Sequence, residues 1–180
     1  MKWKIIGSRT AYADPFCKIR DDSVCLPNGK KTHYFVSEIR DWATVVAFTP
    51  KKQIVLTKQY RHPTKETLVE LPAGKLEKGE KPLKGIQREF LEETGLELKK
   101  AQKMGCWFVS SGRSNCKVHV FIGKTTGNPK TQQLDEIEQI TLLFKTPKQV
   151  MCMIQKEEIK SVPYIAAILA AKEKYPERFK

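Results

Sequence analysis

The segment from residue 74 to residue 96 constrains this chain most, because its acidic residues recur at helical spacing. It reads GKLEKGEKPLKGIQREFLEETGL and holds five glutamates within 17 positions, at Glu77, Glu80, Glu89, Glu92 and Glu93. The last three lie at i, i+3 and i+4, so a helix places them on one face, where like charges repel. A bound cation turns that repulsion into coordination, and a ligand set made of oxygens suits Mg²⁺ or Mn²⁺. The alternative is an ordinary charged surface helix that follows a loop.

The same segment also fits a family signature. Written G-x5-E-x7-R-E-U-x-E-E-x-G-U, with U apolar, the pattern is met at every fixed position: Gly74, Glu80, Arg88, Glu89, Phe90, Glu92, Glu93, Gly95 and Leu96. It resembles the Nudix box of hydrolases that cleave a nucleoside diphosphate linked to another group. The resemblance implies an α/β fold, namely a Nudix α/β/α sandwich with a mixed sheet.

Composition places few further limits on the chain. A length of 180 residues, with 40% hydrophobic and 29% charged residues, suits a single globular domain with a substantial core. No apolar run approaches the roughly 18 residues that span a bilayer, and the N-terminal stretch is too weakly apolar for a signal peptide. The five cysteines form no C-x-x-C pair, which favours reduced thiols over a zinc site or a disulfide framework. We therefore expect a cytoplasmic protein without a membrane partner.

The net charge of +13 has two interpretations. It would attract polyanions through a salt-sensitive route that ignores sequence. However, the basic residues are scattered, and no aromatic residues interleave with them as a stacking platform for bases. We favour a solvated basic surface that also suits anionic nucleotides, and we regard nucleic acid as an unlikely partner.

Hydrophobic patterning and turn residues predict the order of the elements. Strands are expected over residues 3–20 (one or two strands), 32–39, 42–49, 53–60, 67–71, 103–110, 117–122 and 137–144, and helices over 81–94, 147–154 and 162–174. A turn at Leu26–Gly29 predicts that residues 1–40 form an N-terminal β-hairpin element, which would serve dimerisation or cover the substrate. Residues 41–180 would then form the Nudix hydrolase domain.

Two segments outside the box narrow the resemblance. QYRHP at residues 59–63 and ELPAG at residues 70–74 are similar to the ADP-ribose pyrophosphatase and nucleoside diphosphate sugar hydrolase branch, and the likeness covers roughly residues 24–170. It implies Mg²⁺-dependent hydrolysis of ADP-ribose and related nucleoside diphosphate sugars, such as GDP-mannose. The products would be a nucleoside monophosphate and a sugar phosphate. The branch also implies a homodimer.

The resemblance assigns metal ligands to positions in this sequence. It implies that Glu89, Glu93 and the backbone carbonyl of Ala73 bind Mg²⁺, for which Mn²⁺ could substitute. Glu92 is expected either as another ligand or as a group that holds the surrounding water. Arg88 has two interpretations, a phosphate contact or a pairing with Glu92 and Glu80, and the family implies the second.

The resemblance also suggests substrate-binding residues and a general base. Arg61 of the QYR segment is expected to contact the diphosphate or the terminal sugar, and Glu70 to bind substrate or water or to act structurally. Trp42 is a candidate for stacking on the purine base, with a role in the core or in a dimer interface as the alternative. Among the loop carboxylates before the last strand, Glu136 is the first choice for the base and Asp135 the second, with a solvated acidic loop as the alternative.

One loop departs from the branch. Where the branch has S-P-G-x-S-x-E, this chain reads SSGRSNC over residues 110–116, with Ser111 for the proline and Cys116 for the acid. That loop shapes the pocket for the terminal ribose in the family, so a broader sugar specificity is credible. Arg113 could supply an additional contact to phosphate or sugar.

Two other functions compete with this one. Removal of a 5′ cap or pyrophosphate from RNA would suit the net charge, although the QYR and ELPAG segments point to sugar nucleotides. A non-catalytic module that senses nucleotides is the other alternative. Modules of that kind often lose box carboxylates, and this chain has them all.

Overall fold

A computed structural model describes residues 2–15, 17–126, 129–136 and 138–180. Phe16 and Ile137, which fall within predicted strands, lie outside these ranges. The described chain divides into two compact units. The first comprises Met1–Asp41 with Phe108–Lys117, and the second comprises Trp42–Trp107 with Val118–Lys180.

The first unit is built on an antiparallel sheet of three strands, β1 (Lys4–Ala13), β2 (Lys18–Cys25) and β3 (Lys31–Glu38), in the order β1-β2-β3. The β2–β3 turn closes where Gly29 N donates to Leu26 O at 2.9 Å, and Gly29 has φ +81°, a conformation that glycine adopts without strain. The predicted N-terminal β-hairpin element is therefore confirmed. It contains two hairpins, β1–β2 and β2–β3.

Polar pairs fill the middle of this sheet. Asp21 is buried and accepts from Arg9 and His33, and Asp22 is buried and accepts from Ser8 and Arg20. Hydrogen bonds offset much of the cost of burying a carboxylate. By contrast, every residue of β1 is exposed.

The second unit contains a mixed sheet in the order β10-β5-β4-β9-β8, with β6 paired to β5 and β7 paired to β4. The strands are β4 (Trp42–Phe48), β5 (Ile54–Arg61), β6 (Glu66–Glu70), β7 (Ala73–Lys75), β8 (Glu97–Phe108), β9 (Lys117–Thr126) and β10 (Ile140–Lys145). Strand β4 pairs parallel with β9 and antiparallel with β5 and β7. The sheet is therefore mixed, as the Nudix resemblance implied.

Within the described ranges, the helices are α1 (Pro82–Thr94), α2 (Pro147–Gln155) and α3 (Val162–Lys174), followed by a 3₁₀ turn at Pro176–Phe179. None of these helices is long and apolar enough to cross a membrane.

Alternate residues of β4 enter two separate cores, because successive side chains of a strand point to opposite faces. Val45 packs in one core with Ile86 and Phe90 of α1. Val46 packs in the other with Ala167 and Ile168 of α3. Both faces of the sheet are thus covered by helices, which confirms the predicted α/β/α sandwich.

The largest differences from the predicted strands are at β8 and β7. β8 begins at Glu97 instead of residue 103, and its charged, largely exposed first half hides the alternation that marks a strand. β7, at Ala73–Lys75, was not predicted, because three residues that include a glycine carry no strand signal.

Candidate functional site

The acidic segment folds as a short strand, a loop and a helix. Pro82 begins α1 in the first turn, where its missing N–H is not needed, and Gly95 ends the helix in the left-handed conformation with φ +66°. The three helical glutamates differ in exposure: Glu93 is buried, Glu89 is half-buried and Glu92 is the most exposed of the three.

Glu93 is the most strongly perturbed carboxylate of the group. Its Oε2 accepts from the backbone N–H of Ala73 at 3.0 Å. Burial raises the pKa of Glu93 to about 8, and the charges of Glu89 and Glu138 push it the same way, against the Ala73 hydrogen bond and the Arg61 charge. A buried carboxylate of this kind gains strongly from a nearby cation.

Glu89 lies against the backbone of the preceding loop. A Cβ built on Gly74 would lie 1.9 Å from Glu89 Cδ, so glycine at residue 74 leaves room for this carboxylate. Burial raises the pKa of Glu89, while Arg88 opposes the rise. Burial therefore disfavours the ionised form of both Glu89 and Glu93.

Arg88 connects the loop to the helix. Its guanidinium donates to Glu80 at 3.1 and 3.2 Å, to Glu92 Oε2 at 3.0 Å and to Lys75 O at 3.3 Å. It also forms an ion pair with Glu89 at 2.9 Å. Hydrogen bonds to Glu80 are the main reason that the pKa of Arg88 lies above its ordinary value. Of the two interpretations of Arg88, the structure shows the pairing with Glu80 and Glu92.

The carboxylates suit a cation that needs few protein ligands. In the part of the chain that the structure describes, no three acidic, histidine or cysteine side chains are close enough together to hold a metal ion. Arg88 contacts both Glu89 and Glu92, and Glu92 is the more exposed of the two, which favours Glu89, Glu93 and the backbone of Ala73. Mg²⁺ usually binds through one or two carboxylates and keeps water or phosphate oxygens at its other positions, so these residues fit it.

A second cluster brings together three predicted substrate-binding residues. Arg61 donates to Glu70 through Nη2 at 2.6 Å and through Nε at 3.1 Å, a two-pronged contact with a buried carboxylate. Tyr164 of α3 is buried beside this pair, and its ring meets Trp42 edge-on, with centroids 5.8 Å apart. Burial raises the pKa of Tyr164, and the charges of Glu70 and Glu93 add to the rise.

This second cluster is connected to α1, because Glu93 accepts from the backbone N–H of Ala73, three residues after Glu70. The charges of Arg61 and Glu93 also act on each other's pKa. Sequence reasoning missed Tyr164. Its spacing with Ala167, Ile168 and Ala171 marks the inward face of α3, but nothing in that pattern connects it with Arg61.

The loop before β10 carries the candidates for the general base. Asp135 and Glu136 are exposed, whereas Glu138 is half-buried. Glu138 N donates to Asp135 O at 2.9 Å, and Glu138 Oε2 accepts from Asp135 N at 3.3 Å. The Glu138 charge contributes to the raised pKa of both Glu89 and Glu93. Glu138 therefore joins the candidates, and sequence reasoning missed it because an acidic run without periodicity gives no reason to prefer one member.

Arg113 belongs to the first unit. Its side chain is exposed, and its carbonyl accepts from Ser37 N at 2.8 Å. Cys116, at the position of the missing acid, is buried, and its thiol donates to Arg40 O at 3.4 Å. Residues 110–116, the loop that departs from the branch pattern, therefore lie in the first unit.

Family models match nearly the whole chain. The NUDIX domain model matches residues 39–167. The model described as the nucleoside diphosphate sugar hydrolase N-terminal domain matches residues 3–37.

The chain is also similar to individual proteins over most of its length. The chain is 32% identical over 157 residues to an ADP-ribose pyrophosphatase of Bacillus subtilis, covering 87% of this chain and 85% of that protein. It is 30% identical over 166 residues to a methanol dehydrogenase activator of Bacillus methanolicus, covering 92% and 90%. It is 30% identical over 154 residues to an ADP-sugar pyrophosphatase of Mus musculus, covering 78% and 67%.

A solved structure shares the fold. The crystal structure of an ADP compounds hydrolase superposes with a TM-score of 0.85 at 14% identity, covering 99% of this chain and 96% of that one. At this identity the likeness concerns the fold alone.

Proposed function

Because this chain belongs to the NUDIX family of hydrolases, we propose that it hydrolyses the diphosphate bond of ADP-ribose and related nucleoside diphosphate sugars, such as GDP-mannose. The products are a nucleoside monophosphate and a sugar phosphate. The N-terminal match to a nucleoside diphosphate sugar hydrolase domain favours sugar nucleotides over RNA caps. One observation carries the proposal: the buried Glu93 carboxylate accepts from the backbone N–H of Ala73, three residues after Glu70, the carboxylate that holds Arg61.

That juxtaposition suits a diphosphate. Glu89, Glu93 and the carbonyl of Ala73 would hold Mg²⁺, or Mn²⁺ in its place, and Glu92 would hold surrounding water or act as a further ligand. A divalent cation bound there would neutralise phosphate charge and lower the pKa of water. Arg61 keeps part of its guanidinium accessible, because its side chain is 39% exposed while it pairs with Glu70. It can therefore orient an anionic substrate without leaving Glu70 unpaired.

Proton transfer falls to a loop carboxylate. A general base must reach the attacking water and hold its proton. We rank Glu138 first, because it is half-buried and its charge acts on both Glu89 and Glu93. Glu136 and Asp135 stay predictions for the general base. Trp42 stays a prediction for stacking on the purine of the nucleotide, and Arg113 for a contact with the terminal sugar.

The test is turnover of a substrate panel. ADP-ribose, GDP-mannose, ADP-glucose, UDP-glucose and capped RNA would be incubated with protein and Mg²⁺, and products resolved by chromatography. We expect sugar nucleotides to be cleaved and Glu93→Gln to lose about 100-fold or more in kcat. Glu97→Gln is the matched control, because Glu97 is exposed on β8 and pairs only with Lys99 among the ion pairs of the described chain.

The panel separates the alternatives. Cleavage confined to capped RNA would replace the proposal with the decapping function. A protein that binds sugar nucleotides and cleaves none would be a sensing module.

The assembly and location are further proposals. A homodimer is supported by the exposed β1–β3 sheet, where Trp3, Ile5 and Phe35 are 50%, 57% and 55% exposed in the isolated chain. A cytoplasmic location stays a prediction, which fractionation of the source cells would test.

A further inference from the structure

The last turn of α1 is fastened to the loop over residues 129–136. The final carbonyls of a helix lack partners within the helix and need them from elsewhere. Gln133 N donates to Glu92 O at 2.9 Å, Lys130 N donates to Gly95 O at 2.9 Å, and Gln132 Nε2 donates to Glu93 O. The loop therefore supplies partners to the same turn that carries Glu92 and Glu93.

Gln132 differs from its neighbours because it uses its side chain and bonds twice. Its Nε2 also donates to Ile140 O at 3.3 Å, at the first residue of β10. Asp135, Glu136 and Glu138 lie between Gln132 and Ile140 in the sequence. Gln132 precedes the acidic stretch and Ile140 follows it. The Gln132 amide therefore holds both ends of the stretch near the Glu93 carbonyl.

The helix end is shaped to accept this loop. A Cβ at Gly95 would lie 2.1 Å from Lys130 O. The final glycine of the box thus does more than end the helix, since it also lets the loop approach the backbone of α1.

We infer that Gln132 is a positioning residue, whose amide fixes the loop carboxylate that serves as general base against the metal-binding turn of α1. The inference rests on the proposed function and adds a residue to its site. Fixing the base matters because a misplacement of about 1 Å can cost about 100-fold in rate. The Gln132 amide donates to the backbone carbonyls of Glu93 and Ile140, so its effect on the reaction would pass through Glu138.

The kinetic test uses Gln132→Met, which keeps the length of the side chain and removes its donor. We expect kcat to fall about tenfold or more, with KM changed by less than about twofold. Gln133→Met is the matched control, because the Gln133 side chain is exposed and its bond to Glu92 uses the backbone. The double variant with Glu138→Gln should be no slower than Glu138→Gln alone, since no base is left to position.

Two kinetic outcomes would overturn the inference: a kcat for Gln132→Met within about twofold of the wild type, or losses that multiply in the double variant.

A second measurement needs no turnover. Hydrogen exchange of the Lys130 and Gln133 amides, followed in metal-free protein, should speed up about tenfold or more in Gln132→Met and stay unchanged in Gln133→Met. Unchanged exchange in Gln132→Met would mean that Gln132 does not hold the loop. If the wild type cleaves no sugar nucleotide, the proposed function fails. The exchange result still decides whether the Gln132 amide holds the loop against α1.

Discussion

The Glu89 carboxylate lies directly against the backbone of Gly74. A Cβ at Gly74 would lie 1.9 Å from Glu89 Cδ and 2.1 Å from its Oε2. Any side chain at residue 74 must therefore move a proposed metal ligand. Gly74, the first glycine of the motif, is therefore in close steric contact with Glu89, the first glutamate of its helix.

Gly74→Ala should displace Glu89 and lower kcat about 100-fold, with a smaller effect on stability. Steady-state turnover of the best sugar nucleotide at saturating Mg²⁺ measures this. Gly7→Ala is the control, because a methyl group there meets Ser23 at an ordinary 3.7 Å. Equal activity of Gly74→Ala and wild type would show that Glu89 is free to move without cost.

The raised pKa of Glu93 predicts how stability depends on pH. Burial raises this pKa from 4.5 to about 8, so the folded metal-free protein holds the proton more tightly than the unfolded chain. The Glu93 contribution to stability is fully present below about pH 4.5 and falls as the pH rises towards about 8. Thermal unfolding of metal-free protein should show this fall, and Glu93→Gln should remove part of it. An identical pH dependence in wild type and variant would contradict the prediction.

The same carboxylate predicts linkage between cation and proton. Because Mg²⁺ binding needs an ionised Glu93, binding should release protons and strengthen as the pH rises towards about 8. Isothermal titration in two buffers with different ionisation enthalpies measures the protons released. A heat that is independent of the buffer would count against Glu93 as a ligand.

Arg88 should be hard to replace. It bonds Glu80, Glu92 and the Lys75 carbonyl at once, and a lysine ammonium lacks the planar fork for these contacts. We expect Arg88→Lys to lose about 1–3 kcal/mol of unfolding free energy, measured by denaturant titration. Lys84→Ala, at an exposed position of the same helix, should change stability little. A similar loss in both variants would locate the effect in the helix rather than in the bonds of Arg88.

Arg61→Lys should raise KM for the sugar nucleotide about tenfold, because the charge stays while the two-pronged geometry is lost. Lys58→Ala, at an exposed position of the same strand, serves as the control. A fall in kcat at constant KM would instead assign Arg61 to the transition state alone.

The β1–β3 sheet predicts self-association. Phe35→Glu should convert a dimer to a monomer in sedimentation equilibrium, because it places a charge on an apolar surface that association would bury. Leu169→Glu, at another exposed apolar position, should leave the mass unchanged. A wild-type monomer at all concentrations would exclude the dimer.

Sequence patterns predicted what depends on local spacing. The helical face of Glu89, Glu92 and Glu93 follows from a period of 3.6, and β4 was predicted as a buried strand from its β-branched residues. The sandwich of helices around the sheet came from the Nudix resemblance. The Glu93 contact with Ala73 did not follow, because it depends on β7 reaching β4. Likewise, Glu138 could not be separated from Glu136 by sequence, because its placement depends on hydrogen bonds between the loop and α1.

The parallel pairing of β4 with β9 has a consequence for how the protein reaches its native state. Residues 42–48 align with residues 118–124, and the whole acidic segment lies between them in the chain. Closing so long a stretch costs conformational entropy before any contact compensates it, and folding rates fall as such non-local contacts increase. We therefore expect slow folding of the sheet whose strands carry Arg61 and Ala73. A peptide that spans the acidic segment alone would form neither the strand nor the buried carboxylate.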